Sequence, residues 1–373
     1  MDLLDLVLKY EPVLRFSKDG QGREENFFPI SAANYVAESA LHEKGKGQLK
    51  DRKTVTLEQL GSLTAPQSRN LYLTFAADKL LAHDPSWRER LQHGGLELFS
   101  VDGDMTPQLV VKSQDETSMS FAMADPSMEV MADPAELDPS FSFSGPDGEP
   151  VPAEVSFGLT DVMQLPTEVH ERALEHYQPY LDFTKHPPIY YYSSLFNRGY
   201  HVLQYWFFYA YNDWGSAHGG VNDHEADWEM IALFLRGDEP VHIAYSAHTG
   251  NPARHEWSDS AVEKVDGSHP VIYVGCGSHA NYFHEEIHAQ ATFKDFAGGD
   301  SAMSAGPDTP LSWGKPVNLG EQPWALNYAG GWGALVKRFG TESLAMGAQA
   351  PVSPPWQFRR WESPVDWAKL PWF

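Results

Sequence analysis

The feature that most constrains this fold is a series of five runs, rich in β-branched and aromatic residues, between residues 188 and 284. In chain order they read PIYYYSSLF, HVLQYWFFYAYN, DWEMIALFL, PVHIAYSAH and HPVIYVGCGSH. Such runs, bounded by Gly, Asn, Asp and Pro, are typical of β-strands. Because most connections between them are too short to hold a helix, they favour antiparallel pairing over repeated βαβ units. The sequence predicts an α+β, mostly β protein with a central antiparallel sheet or sandwich, wrapped by irregular segments and a few helices.

The rest of the chain divides into zones around this sheet, within a single large domain over 1–373. Residues 1–36 join a short helical pattern, DLLDLVLKY, to an extended EPVLRF, and are predicted to pack on the core as an N-terminal segment. Residues 37–185 are charged at first and then rich in Pro, Asp, Ser and Gly, which predicts an elaboration or insertion with a helix in PTEVHERALEHYQPYLDF. Residues 186–373 are predicted to form the motif-bearing core.

Charge and cysteine content narrow the classes of partner. The chain has 27 Lys and Arg against 51 Asp and Glu, a formal net charge of −24, which opposes binding to a nucleic-acid backbone. The single cysteine, Cys276, excludes an intramolecular disulfide and a Cys-based zinc site, and it fits a reducing compartment. The opening MDLLDLVLKY lacks the pattern of a signal peptide, and no apolar run has the length of a membrane helix. We therefore expect an acidic cytoplasmic protein with no integral membrane segment and no nucleic-acid partner.

A cluster of acidic residues stands directly before the third run, in NDHEADWEMI. Alternation along a strand places Glu225, Asp227 and Glu229 on one face. It places His224 and Ala226 on the other face, although a strand that begins near Asp227 would free His224 to turn toward the acids. These groups are therefore predicted to gather at the mouth of the strand.

Two histidines end the neighbouring runs, His248 the fourth and His279 the fifth. In an antiparallel sheet the start of one strand lies beside the end of the next, so His248 is expected next to the acidic start of the third strand. His279 would join them if its strand pairs parallel to the fourth run or crosses over. Convergence would bring two or three histidines to the same carboxylates.

Such a cluster has the donor types of a catalytic metal site. Imidazole nitrogens with one or two carboxylates are the usual ligands of zinc, iron or manganese, and a bound water there ionises near neutral pH and attacks an ester or phosphoester. We predict a divalent metal ion held by ligands from one set: His224, Asp227, His248 and His279. We expect catalytic roles for Glu225 or Glu229 as general base, and for His279 as base if a carboxylate holds it without metal. No HExxH motif accompanies these residues, and a histidine at a strand end is more often structural.

Motifs in the second half of the chain resemble the vacuolar protein sorting-associated protein 62-like family. They are LQYWFFYAYNDW, NDHEADWEMI, YSAH, HPVIYVGCGSHANYF, YAGGWG and APVSPPW. Near the start of the chain, YEPVLRF and FFP show a weaker similarity. The family pattern has Gly where this chain has Ala226, a difference that is expected to alter the local backbone. The resemblance implies recurrent polar positions without assigning them an activity: Gln204, Asn212, His224, Glu225, Asp227, Glu229, His248, Ser278, His279 and Asn281.

The function that these observations favour is a metal-assisted hydrolase or related enzyme acting on a small or lipid-like molecule, with a His and carboxylate site at the sheet edge. The aromatic second run is either core or the lining of a ligand pocket. Substrate contacts are expected from five residues: Gln204, Tyr209, Asn212, Ser278 and Asn281. The alternative is a non-catalytic module for lipid, carbohydrate or protein recognition, in which the same residues are structural. The sequence leaves the oligomeric state open.

Overall fold

A computed structural model describes residues 1–78, 167–214, 223–247, 252–290, 293–334 and 350–372, together with the backbone of short strands between 96 and 151. The α-helices of these residues are Leu3–Lys9 (α1), Ala32–Glu38 (α2), Leu57–Gly61 (α3), Ala65–Ser68 (α4), Thr167–Tyr177 (α5), Pro323–Asn327 (α6), Arg359–Glu362 (α7) and Pro364–Trp367 (α8). Short 3₁₀ segments lie at Gln178–Leu181, Leu319–Glu321 and Pro354–Trp356.

The β-strands account for most of the regular structure of these ranges. They are Val13–Phe16 (β1), Ala40–Glu43 (β2), Gly47–Lys50 (β3), Leu71–Thr74 (β4), Leu96–Ser100 (β5), Pro107–Lys112 (β6), Ser118–Ser120 (β7), Phe143–Ser144 (β8), Pro150–Val151 (β9), Tyr190–Asn197 (β10), Tyr200–Asn212 (β11), His224–Arg236 (β12), Glu239–Tyr245 (β13), Ala253–Glu256 (β14), Lys264–Val265 (β15), His269–Val274 (β16), Asn281–Tyr282 (β17), Glu286–Gln290 (β18), Phe293–Ala297 (β19), Ser304–Ala305 (β20) and Val317–Asn318 (β21). The prediction of an α+β, mostly β fold is confirmed.

A central sheet has the strand order β14-β13-β12-β11-β10-β21. Strands β10 to β14 pair antiparallel in sequence order, and β21 lies parallel to β10. In this register Tyr209 lies opposite Asp227, and Ile231 lies opposite Tyr245. The antiparallel pairing predicted for the first four runs is confirmed, and the start of β12 does lie near the end of β13.

The fifth run does not join the central sheet. It forms β16 in a second sheet of order β15-β16-β1-β20, with β17 paired to β16. There β16 lies parallel to β1, with Val271 opposite Val13 and Val274 opposite Phe16. Of the two arrangements considered for this strand, pairing with the fourth run does not occur, and the strand instead crosses over to the second sheet. His279 approaches the acidic residues on the loop that follows β16.

The central sheet is buried on both faces. One face packs Tyr205, Phe207 and Tyr209 against the second sheet, which contributes Leu14 and Ile272 to the same cluster. The opposite face packs against helices and the C-terminal segment, through a cluster that includes Trp206, Phe208, Trp228, Tyr35 and Trp332. Two-sided burial explains why β11 and β12 are continuous apolar runs without alternation. The aromatic residues of β11 therefore belong to the core.

We predict that Trp228→Ala lowers the free energy of unfolding by about 3–5 kcal/mol, because it removes a fully buried ring from the core. The ring centroid of Trp228 lies 4.6 Å from that of Phe208 and 5.3 Å from that of Tyr191. Urea denaturation followed by circular dichroism measures the loss. As the control, Phe196→Ala truncates a side chain that is 83% exposed, and it should change the value by no more than about 0.5 kcal/mol. Equal losses in the two variants would contradict this packing.

Candidate functional site

Five of the predicted site residues lie where three segments meet at one end of the central sheet: Asn212, Asp227, Ser278, His279 and Asn281. The loop after β16 contacts the end of β11 through a bond from the Asp213 amide to the Gly277 carbonyl, at 3.1 Å. It contacts the segment after β13 through a bond from the Asn281 amide to the Ser246 carbonyl, at 3.0 Å. Gly277 has φ +71°, and a Cβ there would lie 2.8 Å from the amide nitrogen of Trp214. Glycine thus permits the close approach that brings His279 to the sheet.

His279 is the centre of this arrangement and is fully buried. Its ring stacks on Tyr209, with centroids 3.8 Å apart and planes 4° from parallel. Its Nδ1 donates to Asp227 Oδ2 at 3.1 Å, and its Nε2 lies 3.6 Å from Glu25 Oε1. The backbone of His279 has φ +58°, a left-handed conformation that is uncommon for a side chain with a Cβ.

The ionisation of His279 follows from its two carboxylate neighbours. Burial alone would lower its pKa, but the charge of Glu25 and the hydrogen bond to Asp227 outweigh burial and raise the pKa to about 10. For Asp227 burial acts to raise the pKa, yet the bond from His279 and the charge of His224 prevail and lower it. His279 is therefore an imidazolium held between two carboxylates at neutral pH.

Glu25 was not predicted from the sequence, although it organises the site. Its Oε1 accepts from the amides of Asn26 and Phe27, each at 2.9 Å, and its Oε2 accepts from the Gly277 amide at 2.8 Å. Its carboxylate therefore ties the N-terminal segment to the loop that carries His279. The only local signal is the acidic pair Glu24 and Glu25, separated from FFP by Asn26, and nothing in that pattern indicates a partner some 250 residues later.

Glu225 points away from the other acids, contrary to the alternation expected along β12. Its carboxylate accepts from the amides of Ala76 at 2.5 Å, Ala77 at 2.7 Å and Ala334 at 2.6 Å. The next residue, Ala226, has φ +60°, which breaks the strand alternation and sends Glu225 to the opposite face of the sheet. At this position the family pattern has Gly, which adopts a positive φ without the strain that a Cβ adds. Glu225 lies apart from His279.

The remaining predicted residues are held by hydrogen bonds. Glu229 accepts from the Ser246 hydroxyl, which also accepts from Asn281 Nδ2 at 3.3 Å. Asn212 Nδ2 donates to Asp227 at 3.0 Å and to the Ser278 carbonyl at 3.1 Å. These contacts link Glu229 to Asn281 through Ser246, and they link Asn212 to Asp227.

Two predicted residues have partners outside this network. The Ser278 hydroxyl donates to both oxygens of Asp295, at 2.8 Å. Gln204 lies in the middle of β11, where its Oε1 accepts from Ser193 at 2.6 Å and its amide donates to the Arg360 carbonyl. Gln204 thus joins the sheet to the C-terminal segment and is far along the strand from the acids.

The described members of the predicted ligand set, His224, Asp227 and His279, do not form a metal-ion group in the part of the chain that the structure describes. In the ranges that the structure describes, no three His, Cys, Asp or Glu side chains form a group suited to a metal ion. His224 Nδ1 donates to the Ala226 carbonyl at 2.8 Å, and the two ring nitrogens of His279 face the carboxylates of Asp227 and Glu25. His248 lies outside the described residues.

A small cavity opens beside the His279 network, and we call it the acidic mouth. It is lined by Asp19, Arg23, Glu24, Asn26, Asp213, Trp214, Cys276 and Gly277. It has room for about one water-sized group. Burial and the carboxylates of Glu25 and Asp213 raise the pKa of the Cys276 thiol, so this cysteine is not a thiolate at neutral pH. The pKa of His170 is likewise raised, chiefly by its hydrogen bond to Asp213.

No family model matches this chain, and no curated protein matches it; the resemblance to the vacuolar protein sorting-associated protein 62-like family stays a prediction. Among solved structures, the complex of NLPPya with glucosamine aligns at 19% identity over 29% of this chain and 47% of that chain, with a TM-score of 0.21. Necrosis and Ethylene inducing Protein 2, from the causal agent of cocoa's Witches Broom disease, aligns at 17% identity over 36% and 54%, with a TM-score of 0.25. The chain thus spans about half the length of these proteins, at TM-scores too low to establish a shared fold.

The left-handed backbone at Ala226 predicts how alanine-to-glycine substitutions in β12 will differ. Ala226→Gly and Ala232→Gly each remove a fully buried methyl group from one strand. Only the first relieves a positive φ, which costs a residue with a Cβ about 1–2 kcal/mol. We expect Ala226→Gly to lower the free energy of unfolding by about 1 kcal/mol less than Ala232→Gly does. Chemical denaturation of both variants tests this, and equal losses would contradict it.

The raised pKa of His279 predicts a pH-dependent stability. Its folded pKa of about 10 exceeds the ordinary value of about 6.5, so the stability from its charge is full below about pH 6.5 and is lost as pH rises toward 10. Between these values the free energy of unfolding should fall by up to about 1.4 kcal/mol per pH unit. His279→Asn, which suits a left-handed backbone, should flatten this slope.

The matched control is His201→Asn, because burial lowers the pKa of His201. This variant should keep the slope of the unsubstituted protein across the same pH range. A slope that survives in His279→Asn would show that other groups, such as His170, carry the effect.

Proposed function

We propose that this protein is a non-catalytic recognition module that binds the ammonium group of a small, sugar-like ligand at the acidic mouth. The observation that carries the proposal is the geometry around His279, a buried imidazole whose Nδ1 lies 3.1 Å from Asp227 Oδ2 and whose Nε2 lies 3.6 Å from Glu25 Oε1. Both nitrogens of its ring face carboxylates of the protein, and its raised pKa disfavours the neutral form that a general base requires. The residues at the end of the sheet therefore support a rigid binding surface.

The other candidate catalytic groups are similarly committed to the fold. Glu225 accepts three backbone amides, which fixes its position and leaves it remote from His279. Ser278 donates to Asp295, so its hydroxyl has no histidine to remove its proton, as a serine nucleophile requires. A hydrolytic mechanism would need these groups to exchange their partners.

The acidic mouth favours a positively charged group. Its lining carries the carboxylates of Asp19, Glu24 and Asp213 against the single guanidinium of Arg23. The net charge of its lining is therefore negative, with Lys18 paired to Glu24 at 3.0 Å and His170 to Asp213 at 3.3 Å. Glu25 lies buried beside the lining, bonded to the amides of Asn26 and Gly277. Charges in a partly enclosed cleft interact more strongly than they do in water, because the local dielectric is low.

The size and the aromatic lining of the mouth favour a ligand with an ammonium head and an apolar or ring-shaped body. The cavity accepts little more than one small group, so the body of the ligand must rest on its rim. Trp214 lines the cavity, and indole rings attract both cations and the faces of sugar rings. An amino sugar combines these properties, which makes it a reasonable first ligand to test.

The proposal predicts that glucosamine binds and that glucose, which lacks the ammonium group, binds at least about tenfold more weakly. Isothermal titration calorimetry measures both affinities. Binding of glucosamine should weaken as salt is raised, because the interaction is between charges. Glu24→Gln, which removes one rim charge, should also weaken binding. Glu58→Gln serves as the matched control, since Glu58 is an exposed acid of α3 and should leave binding unchanged.

Equal affinities for glucosamine and glucose would overturn the ammonium site.

A metal-assisted hydrolase is the competing function, and elemental analysis of the purified protein distinguishes it. A near-stoichiometric divalent metal that His279→Asn removes, accompanied by hydrolysis of an ester or phosphoester, would favour the enzyme. Absence of metal, together with glucosamine binding that Glu24→Gln weakens, would favour the recognition module.

A further inference from the structure

Three large aromatic side chains are exposed on the surface formed by the β10–β11 turn and the C-terminal segment. The exposed fractions are 83% for Phe196, 69% for Phe358 and 64% for Trp372. We call this surface, with the charged residues described below, the aromatic edge. Single exposed apolar residues are common on proteins, whereas several in one place mark an interaction surface.

Direct contacts join the turn to the C-terminal segment. The side chain of Asn197 donates to the Glu362 carbonyl at 3.4 Å and accepts from the Val365 amide at 3.3 Å. Arg198 pairs with Asp366 at 3.3 Å, and its guanidinium lies 3.9 Å from the centroid of the Trp372 ring. Trp372 therefore lies beside this turn on the side of the C-terminal segment. Phe196 projects from the opposite face of β10, where its ring stacks on His201 with centroids 4.7 Å apart. Phe358 lies one helical turn before Glu362.

The aromatic edge has the opposite charge sign to the protein as a whole. It carries four cations against the two carboxylates of Glu362 and Asp366, a local excess of two positive charges on a chain of net charge −24. The cations are Arg198, Arg359, Arg360 and Lys369. On the adjacent β12–β13 turn, Asp238 and Glu239 are paired with the N-terminal amine and Lys9. The surface thus complements an anionic partner.

Phe358 is an outlier in backbone as well as in exposure. Its φ is +42°, in the left-handed region where a bulky side chain is rare. Its carbonyl accepts from the amides of Trp361 and Glu362, at 3.0 and 2.8 Å, so the start of α7 holds this conformation. The strain presents an apolar ring to solvent and gains no burial within the monomer. Such conformations concentrate at functional surfaces.

We propose that the aromatic edge docks this protein on a membrane surface that contains anionic phospholipids. Phe and Trp rings favour the interface between headgroups and acyl chains, and Arg and Lys beside them attract anionic headgroups. Docking of this kind is peripheral. No helix in the described ranges is both long enough and apolar enough to cross a membrane.

The test is co-sedimentation of the full chain with vesicles. The protein should pellet with phosphatidylcholine vesicles that contain about 30% phosphatidylserine, and much less with phosphatidylcholine alone. Binding should fall when salt is raised from about 0.1 M to about 0.5 M. Phe196→Ser with Trp372→Ser should lower the partition coefficient about tenfold. Arg359→Gln with Lys369→Gln should lower it by a similar factor, about tenfold.

Matched controls remove similar groups from other surfaces. Leu49→Ser with Ile287→Ser replaces two apolar side chains that are 48% and 56% exposed. Lys44→Gln with Lys50→Gln replaces two exposed lysines. Both pairs should bind vesicles as the unsubstituted protein does, and circular dichroism should show all variants folded.

Two outcomes would overturn the proposal. One is equal binding to neutral and anionic vesicles, or no binding to either. The other is binding to anionic vesicles that the aromatic-edge variants retain, which would locate the lipid contact elsewhere. If vesicles are not bound and the same aromatic substitutions abolish self-association in sedimentation equilibrium, the aromatic edge is an interface between copies of this chain instead.

Discussion

Burial of the central sheet on both faces is the constraint on which the rest of this structure depends. β11 and β12 present tyrosine, tryptophan and phenylalanine to two separate clusters, one shared with the second sheet and one with the helices and C-terminal segment. A sheet covered on both sides has its solvent contact only at its ends and edges. Polar chemistry is consequently confined to the ends of the strands, where β11, β12 and the loop after β16 meet.

At that end the fold must offset the cost of burying carboxylates. Glu225 is offset by three backbone amides, and Asp227 by an imidazolium and an amide side chain. Removing one member of such a set leaves a charge unpaired in a low-dielectric interior, which costs more than an intact pair contributes. Polar residues are concentrated at this end of the sheet, which first suggests an active site. The same residues are also needed to join segments that are distant in the chain.

The strands and their antiparallel order could be predicted because composition and short connectors determine them locally. The helix at Thr167–Tyr177 was predictable for the same reason. The site was only partly predictable. His279, Asp227 and Asn212 do converge, but Glu25 reaches them from the other end of the chain, and no local pattern reports a contact over that separation. Alternation failed at Ala226, because a single positive φ reverses the direction of every preceding side chain in the strand.

The acidic mouth and the aromatic edge stand at opposite ends of one strand. β11 begins beside the Phe196 turn and ends at Asn212, next to Asp213. At about 3.3 Å per residue this strand spans about 40 Å. Because the strand is rigidly buried along its length, contact at one end fixes the direction of the other. On a membrane held at the aromatic edge, the acidic mouth would face away from the lipid headgroups, toward ligands in solution. The carboxylates of the acidic mouth would then lie several Debye lengths from the anionic surface, where salt screens their repulsion from it.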